Sequence, residues 1–351
     1  MTRTLPLALV LAAATSLVAV ARPVPLAAQG TTPAPSARGH VLVLEKNAAN
    51  ARLLDPATGA TVATMPTGPF PHEVVVSPDA RWAVVADYGG PTPGHTLTVL
   101  DLAARAVART IDLGAYRRPH GLVWLPGGGA RVAVTSEQSR HVVLVDVAAG
   151  RVERAIPTDQ NGTHMIALAP NGRRAYTANI GSGSVTALDL RAGTAVATKV
   201  TGRGPEGIDV TPDGRELWAA DRALNRITIL DAATLDSLGS IPTGAFPNRL
   251  RVTPDGRWAL VSNAAAGTVG VYDVRARTLA ATIAMPADSS RAPTPSAMDP
   301  SGRSAMPLGI LVSPDGRRAW IATTAEHALV EVDVATRRVV RVLKTGDTPD
   351  G

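Results

Sequence analysis

The chain contains no cysteine, and that absence removes several kinds of chemistry together. Without thiols there is no disulfide, no lipidated N-terminal Cys, no thiol nucleophile, no Fe–S cluster and no covalently attached c-type haem. Aromatic residues are scarce, at 3% of the chain, so a core must be aliphatic and there is no ladder of rings on which bases could stack. Lysine occurs only at Lys46, Lys199 and Lys344, so the net charge of +6 rests on arginines scattered through the turns. A scattered excess without a basic stripe does not make a nucleic-acid surface, and no nucleic-acid partner is expected. The G-x-S-x-G elbow, the H-E-x-x-H pair (His72-Glu73 has no second His) and the Walker loop are also missing.

Long apolar runs are missing too. The stretch from Leu5 to Val20 follows Arg3 and precedes small residues, which is the pattern of a removed secretory signal. It is too short for a comfortable membrane span. Residues 1–28 therefore read as a signal peptide, and 29–38, rich in Pro, Ala and Thr, as a flexible tether. The expected location is periplasmic or extracellular, with no membrane anchor, and the mature protein is expected to be a monomer.

What the chain does have is a repeat. Seven short apolar runs end on an aspartate followed by a small-residue loop: Asp55, Asp101, Asp146, Asp189, Asp231, Asp273 and Asp333. Their separations are 46, 45, 43, 42, 42 and 60 residues. A period of this length written in short strands means blades of β-sheet. One copy, residues 203–244, reads as four strands: Gly207 to Thr211, Glu216 to Ala220, Arg226 to Leu230 and Leu238 to Ile241. A Pro-Asp-Gly-type turn follows the first strand in six copies, at Pro78, Pro126, Pro170, Pro212, Pro254 and Pro314. The first copy lacks it and opens directly on a second-type strand. Residues 345–351 hold only the lead-in to a first strand, so the closing blade either keeps three strands or belongs to a truncated chain. The expected fold is all-β: a seven-bladed β-propeller over residues 39–351 with four-stranded antiparallel blades, the closing one either complete or incomplete.

These motifs give the chain a likeness to a known family. Pro119-His120-Gly121, Ser313-Pro314-Asp315-Gly316, Tyr176-Thr177-Ala178-Asn179, Leu260-Val261-Ser262-Asn263 and the seven aspartates resemble the YVTN-type β-propeller repeat, which is related to lactonase-like seven-bladed propellers. The resemblance covers about residues 39–351. It implies an exported or cell-surface propeller, and leaves open binders, lactonases, lyases and cofactor-bearing oxidoreductase domains.

Antiparallel strand order puts first-strand entries and second-strand exits on one face of the disc. The entries are His72, His120, His164, Glu206, Asn248, Leu308 and Asp350; the exits include Lys46, Asp87, Glu137, Asn179, Asp221, Asn263 and Thr324. Asp87, Glu137, Asn179, Asp221, Asn263 and Asn248 are the expected ligand-binding residues of this collar. His72, His120, His164 and Glu206 have the donor types of a divalent-metal site, since imidazoles plus a carboxylate suit zinc-like ions. The same histidines could equally be ordinary variants of a repeated strand entry. Two readings follow. One is an interaction module for a protein, glycan or small molecule; the other is a metal-dependent lactonase-like hydrolase or lyase. Four tryptophans, Trp82, Trp258, Trp218 and Trp320, share one strand parity and are expected to pack between blades. An insertion around residues 287–304 is either a gate over the channel mouth or a surface loop.

Overall fold

The computed structural model describes residues 39–127 and 129–351, so the signal peptide and tether expected at 1–38 lie outside the described residues. Apolar runs of four to six residues, each bounded by Pro, Gly, Asp or Asn, fold into 27 short strands joined by tight turns. These make seven antiparallel sheets, each built from chain neighbours. The blade read from residues 203–244 has strands Pro205–Val210, Glu216–Asp221, Arg226–Asp231 and Ser237–Pro242, within two residues of the expected bounds.

Burial explains the pattern within a blade. The two middle strands are covered on both faces and are apolar almost throughout, as in Glu216–Asp221 and Arg226–Asp231. Outermost strands face solvent, and Thr194–Val200 is exposed along its whole length. Seven apolar clusters fill the seven seams between neighbouring blades. One packs Met165, Tyr176 and Val185 against Ile208, Leu217 and Leu230. Another closes the ring, with Val41, Val43 and Leu54 of the first blade against Trp320, Ala322 and Leu329 of the seventh. Trp82, Trp218, Trp258 and Trp320 all join such seams, and Trp218 is fully buried. Burying one large apolar side chain contributes about 1.5–3 kcal/mol, so the seams hold the disc together.

Two repeated devices tie the turns. The strand-end aspartates accept backbone N–H groups two or three residues on, as Asp231 does from Ala233 and Thr234 at 2.8 and 2.9 Å. In the Pro-Asp-Gly turns the preceding hydroxyl donates to the aspartate, as from Thr211 to Asp213 at 2.6 Å and from Ser313 to Asp315 at 2.6 Å. Arginines reach around the rim to carbonyls of the next blade: Arg109 to Ala148 at 2.6 Å, Arg154 to Ala192 at 2.6 Å and Arg341 to Ala57 at 2.6 Å. The scattered positive charge of the sequence is thus partly a belt.

The closing blade is the first one. It has three strands, Val41–Glu45, Asn50–Leu54 and Thr61–Pro66. Residues 348–351 complete its inner side over a short stretch, with Leu44 N–H donating to Gly351 O at 2.9 Å, Asp350 N–H to Leu44 O at 3.1 Å and Lys46 N–H to Thr348 O at 3.0 Å. The insertion between blades six and seven is pinned: Arg291 meets Glu326 at 3.2 Å, and Ser304 N–H donates to the buried Asp299 at 2.7 Å.

Candidate functional site

Each inner strand begins with a repeated entry: Pro71-His72-Glu73, Pro119-His120-Gly121, Thr163-His164-Met165, Pro205-Glu206-Gly207, Pro247-Asn248-Arg249 and Pro307-Leu308-Gly309. A register shift follows immediately in all six inner strands, so two residues of the inner strand oppose one of its partner. Glycine at the third position lets neighbouring inner strands approach. A Cβ on Gly207 would lie 2.7 Å from the Leu250 backbone nitrogen, and one on Gly121 would lie 2.8 Å from the His164 carbonyl oxygen. This close stacking brings the second-position side chains together at the channel mouth.

The three histidines form a row. The ring centroids of His72 and His120 are 5.2 Å apart, and those of His120 and His164 are 3.7 Å apart. Tyr88 joins them, 4.2 Å from His72 and 5.5 Å from His120. Tyr88 sits at the base of the long hairpin of blade two. That hairpin is braced by Arg118, which lies 4.7 Å over the Tyr88 ring and donates to the carbonyls of Gly89 and Gly90 at 3.2 and 3.0 Å.

The three imidazoles differ in protonation. Burial lowers His72 to about 4, and its Nδ1 is 2.8 Å from the Phe70 carbonyl. A carbonyl only accepts, so neutral His72 carries its proton on Nδ1 and leaves Nε2 as a lone pair. Burial, with the nearby His164 charge, holds His120 well below the usual histidine range, and its Nδ1 is buried without a partner. His164 goes the other way. Burial alone would lower it, but Glu137, 2.9 Å from Nδ1, and Glu206, 3.6 Å from Nε2, outweigh that and raise it. Tyr88 donates to the same Glu137 at 3.1 Å.

A buried ionic lattice supports the row. Glu206 is lowered to about 2: burial opposes this, but His164, Arg249 and Arg222 favour its charge. It accepts from Asn248 at 2.6 Å, from Arg249 at 3.2 Å and from Arg222 at 2.7 Å. Arg249 then crosses the channel from blade six to blade two, with Nε and Nη2 on Glu73 Oε1 at 2.8 and 2.5 Å. Burial would lower its guanidinium, yet Glu73 and Glu206 raise it. Beside them Lys46 meets Asp350 at 2.5 Å. Burial would raise the Asp350 carboxyl, but Lys46 and its neighbours hold it at about 2.

The structure therefore gathers His72, His120, His164, Glu206, Asn248 and Glu137 at one place. Asp87, Asn179, Asp221 and Asn263 do something else, which corrects their expected place in the collar. All four are almost fully buried and bond to loops and strands of their own surroundings. Asp87 accepts from Thr96, Thr98 and Gly68 N–H, and Asp221 from the backbone of Arg203, Gly204, Ala223 and Leu224. Asn179 donates to Ser184 and Thr186, and Asn263 to Thr268. A strand exit beside a blade connection leaves backbone donors and hydroxyls to satisfy, and an Asp or Asn is the nearest group able to do so. Glu73, Arg249 and Tyr88 were not legible as site residues. The available signal was that Glu73 and Arg249 replace the usual glycine at the third entry position.

The donor set was also expected to suit a divalent ion. As folded, the His120 and His164 rings pack against each other, the His72 ring meets His120 edge-on, and His164 lies between two carboxylates. Among the described residues, no group of three or more His, Asp or Glu side chains is arranged to hold a metal ion. No helix of the described residues is long and apolar enough to cross a membrane.

Comparison with known proteins agrees with the architecture. Residues 158–297 match the family model described as "Lactonase, 7-bladed beta-propeller". Together with the seven blades, this match supports a lactonase-like seven-bladed propeller family. No curated protein sequence matches the chain. Among solved structures, Kuenenia stuttgartiensis hydrazine synthase is similar with a TM-score of 0.66 and 16% identity, over 88% of this chain and 93% of that one. A functionally unknown protein from Desulfotomaculum acetoxidans DSM 771 is similar with a TM-score of 0.60 and 15% identity, over 70% of this chain and 81% of that one. At such identities the likeness concerns fold alone.

Proposed function

We propose that this lactonase-like seven-bladed propeller is an exported, monomeric binding module whose channel mouth holds a small polar ligand. The observation that carries this reading is the histidine row with the buried, unpartnered Nδ1 of His120 at its centre. A buried polar atom without a hydrogen bond is costly, and beside it the only partly buried His72 keeps Nε2 as an acceptor for a ligand group. The lattice of Glu206, Asn248, Arg249 and Glu73 fixes the surrounding side chains beforehand, which lowers the ordering cost of binding. Export is supported by the signal-like sequence of residues 1–28. The test is a thermal-shift and calorimetric screen of polar small molecules against the wild type and His120→Ala. Hits that bind the wild type and are lost in the variant support the reading. Hits indifferent to His120 would sink it.

A second reading, a lactonase-like hydrolase, is favoured by the family match and by the lone pair on His72 Nε2, which could take a proton from water. It ranks second because a base lowered to about 4 is poorly matched to work near neutral pH. The residues as folded do not make a metal-ligand set, so no step is routed through an ion. Metal content of the wild type beside the His72→Ala/His120→Ala/His164→Ala variant decides that part of the reading. A stoichiometric ion lost in the variant would reinstate it.

A further inference from the structure

An inner strand faces both ways round the ring. Its fourth and sixth residues pack on the preceding blade and its fifth on the following one, as Ile208 and Val210 do against Ala167. In that seam Ala167 and Val210 are 3% and 7% exposed. The matching side chains on either side of the first blade are Leu311 and Val76, and they are 49% and 40% exposed. Both line a cavity of about 630 Å³ that runs along the edge of Val41–Val43. Residues 348–351 occupy the mouth end of the same edge, hydrogen-bonded to Leu44 and Lys46. An antiparallel ladder turns every second residue the same way, so Leu42 points its N–H and C=O to the side that Leu44 does. Among the described residues no strand pairs with Leu42 there. The charged side chains around the cavity are engaged: Glu73 with Arg249, Asp350 with Lys46, and Arg251 with the charge of Asp209.

We infer that this slot takes an extended, apolar segment of a partner polypeptide as the fourth strand of the first blade. The segment lies antiparallel to Val41–Glu45, with alternate side chains against Leu311 and Val76. Residues 348–351 already pair with that edge in this way, and the slot continues their path with the same hydrogen-bonding edge and apolar walls. Main-chain bonds to Leu42 supply affinity, and the two walls select the side chains. The slot stands between Pro307–Val312 and Pro71–Val76, each already held in a blade. A strand held in the blade of another molecule cannot enter between them, so the occupant is a free segment. Residues 29–38 match it poorly: they hold no large apolar residue, and Pro33 and Pro35 cannot donate to a ladder.

The experiment titrates the purified wild type with Lys-flanked peptides of alternating Val and Thr, read by calorimetry and by hydrogen exchange at the Leu42 amide. Two controls accompany it: the same peptide with alternate backbone nitrogens methylated, and the variant Leu311→Glu. Leu311 is exposed, and circular dichroism verifies that the variant keeps the fold. The plain peptide should bind and slow exchange at Leu42. Methylation removes main-chain donors and should weaken binding about tenfold or more, and Leu311→Glu should weaken it about as much. Absence of binding, or binding indifferent to either change, overturns the proposal. A Leu42 amide already protected in the free protein also overturns it. The slot is then filled by residues 1–38 of the same chain or, where protection grows with protein concentration, by a second copy.

Discussion

Arg249 is the residue on which the channel depends most. It is buried, it carries a fixed charge, and its counter-charges lie on opposite sides of the ring at Glu73 and Glu206. Removing one partner of a buried pair leaves the other uncompensated, so Arg249→Ala should cost about 3–5 kcal/mol in chemical denaturation. Glu73→Gln should cost less, because Glu206 still holds the guanidinium. The histidines supply a second residue-scale expectation. His72 is lowered, so its contribution to stability is complete above 6.5 and is lost as pH falls toward 4. His164 is raised, so its contribution is complete below 6.5 and is lost as pH rises through its elevated folded value. NMR titration of the imidazole protons should therefore show His72 neutral until near pH 4 and His164 still charged above 6.5. Glu137→Gln should bring the His164 transition to lower pH. Glu206 is depressed from 4.5 to about 2 and Asp350 from 3.8 to about 2, so their stabilisation is present above those ordinary values and disappears as pH falls toward 2. The thermal midpoint should fall steeply in that window, and Glu206→Gln should flatten the fall.

At the scale of the element, the inner strand sets how near one blade comes to the next. Gly207→Ala would push a Cβ to within 2.7 Å of the Leu250 backbone nitrogen, an atom that cannot swing aside. The expected cost is about 1–3 kcal/mol in the denaturation midpoint, together with chemical-shift changes at the adjoining Asn248. The same strands decide what could be read in advance. Blades were legible because the copies share local chemistry: an aspartate closing its turn as Asp231 does in all seven, and in most of them a turn like that of Thr211 and Asp213 and a proline at the entry. His72, His120, His164, Glu206 and Asn248 were legible as one ring because they share a repeat position. Asp87 and Asp221 share a repeat position as well, but periodicity carries no information on which way a carboxylate turns, and both turn into loops. The Arg249–Glu73 contact joins residues 176 apart across the channel, a distance at which no local pattern reports. Tyr88 owes its place to the brace of Arg118, which again is a contact and not a motif.

For the molecule as a whole, stability is spread over seven seams, one of which closes the ring. The closure differs from the other seams in that residues 348–351 pair with the inner side of the three-stranded first blade. Removing those four residues deletes three backbone hydrogen bonds and the Lys46–Asp350 pair. At about 1 kcal/mol for each backbone bond, the shortened chain should lose about 3 kcal/mol, and protection from hydrogen exchange should vanish first at Leu44 and Lys46. The rim arginines make a weaker contribution, since their carbonyl contacts lie at exposed positions. The closure also has a meaning in time. Asn47 and Thr348, which bond across it, are 301 residues apart. During synthesis the first blade therefore waits, its inner edge unpaired and Val41 and Val43 without Trp320 to cover them, while six blades emerge from the ribosome. For that interval the nascent chain is an open crescent, and its survival depends on whatever shields those two ends until they meet.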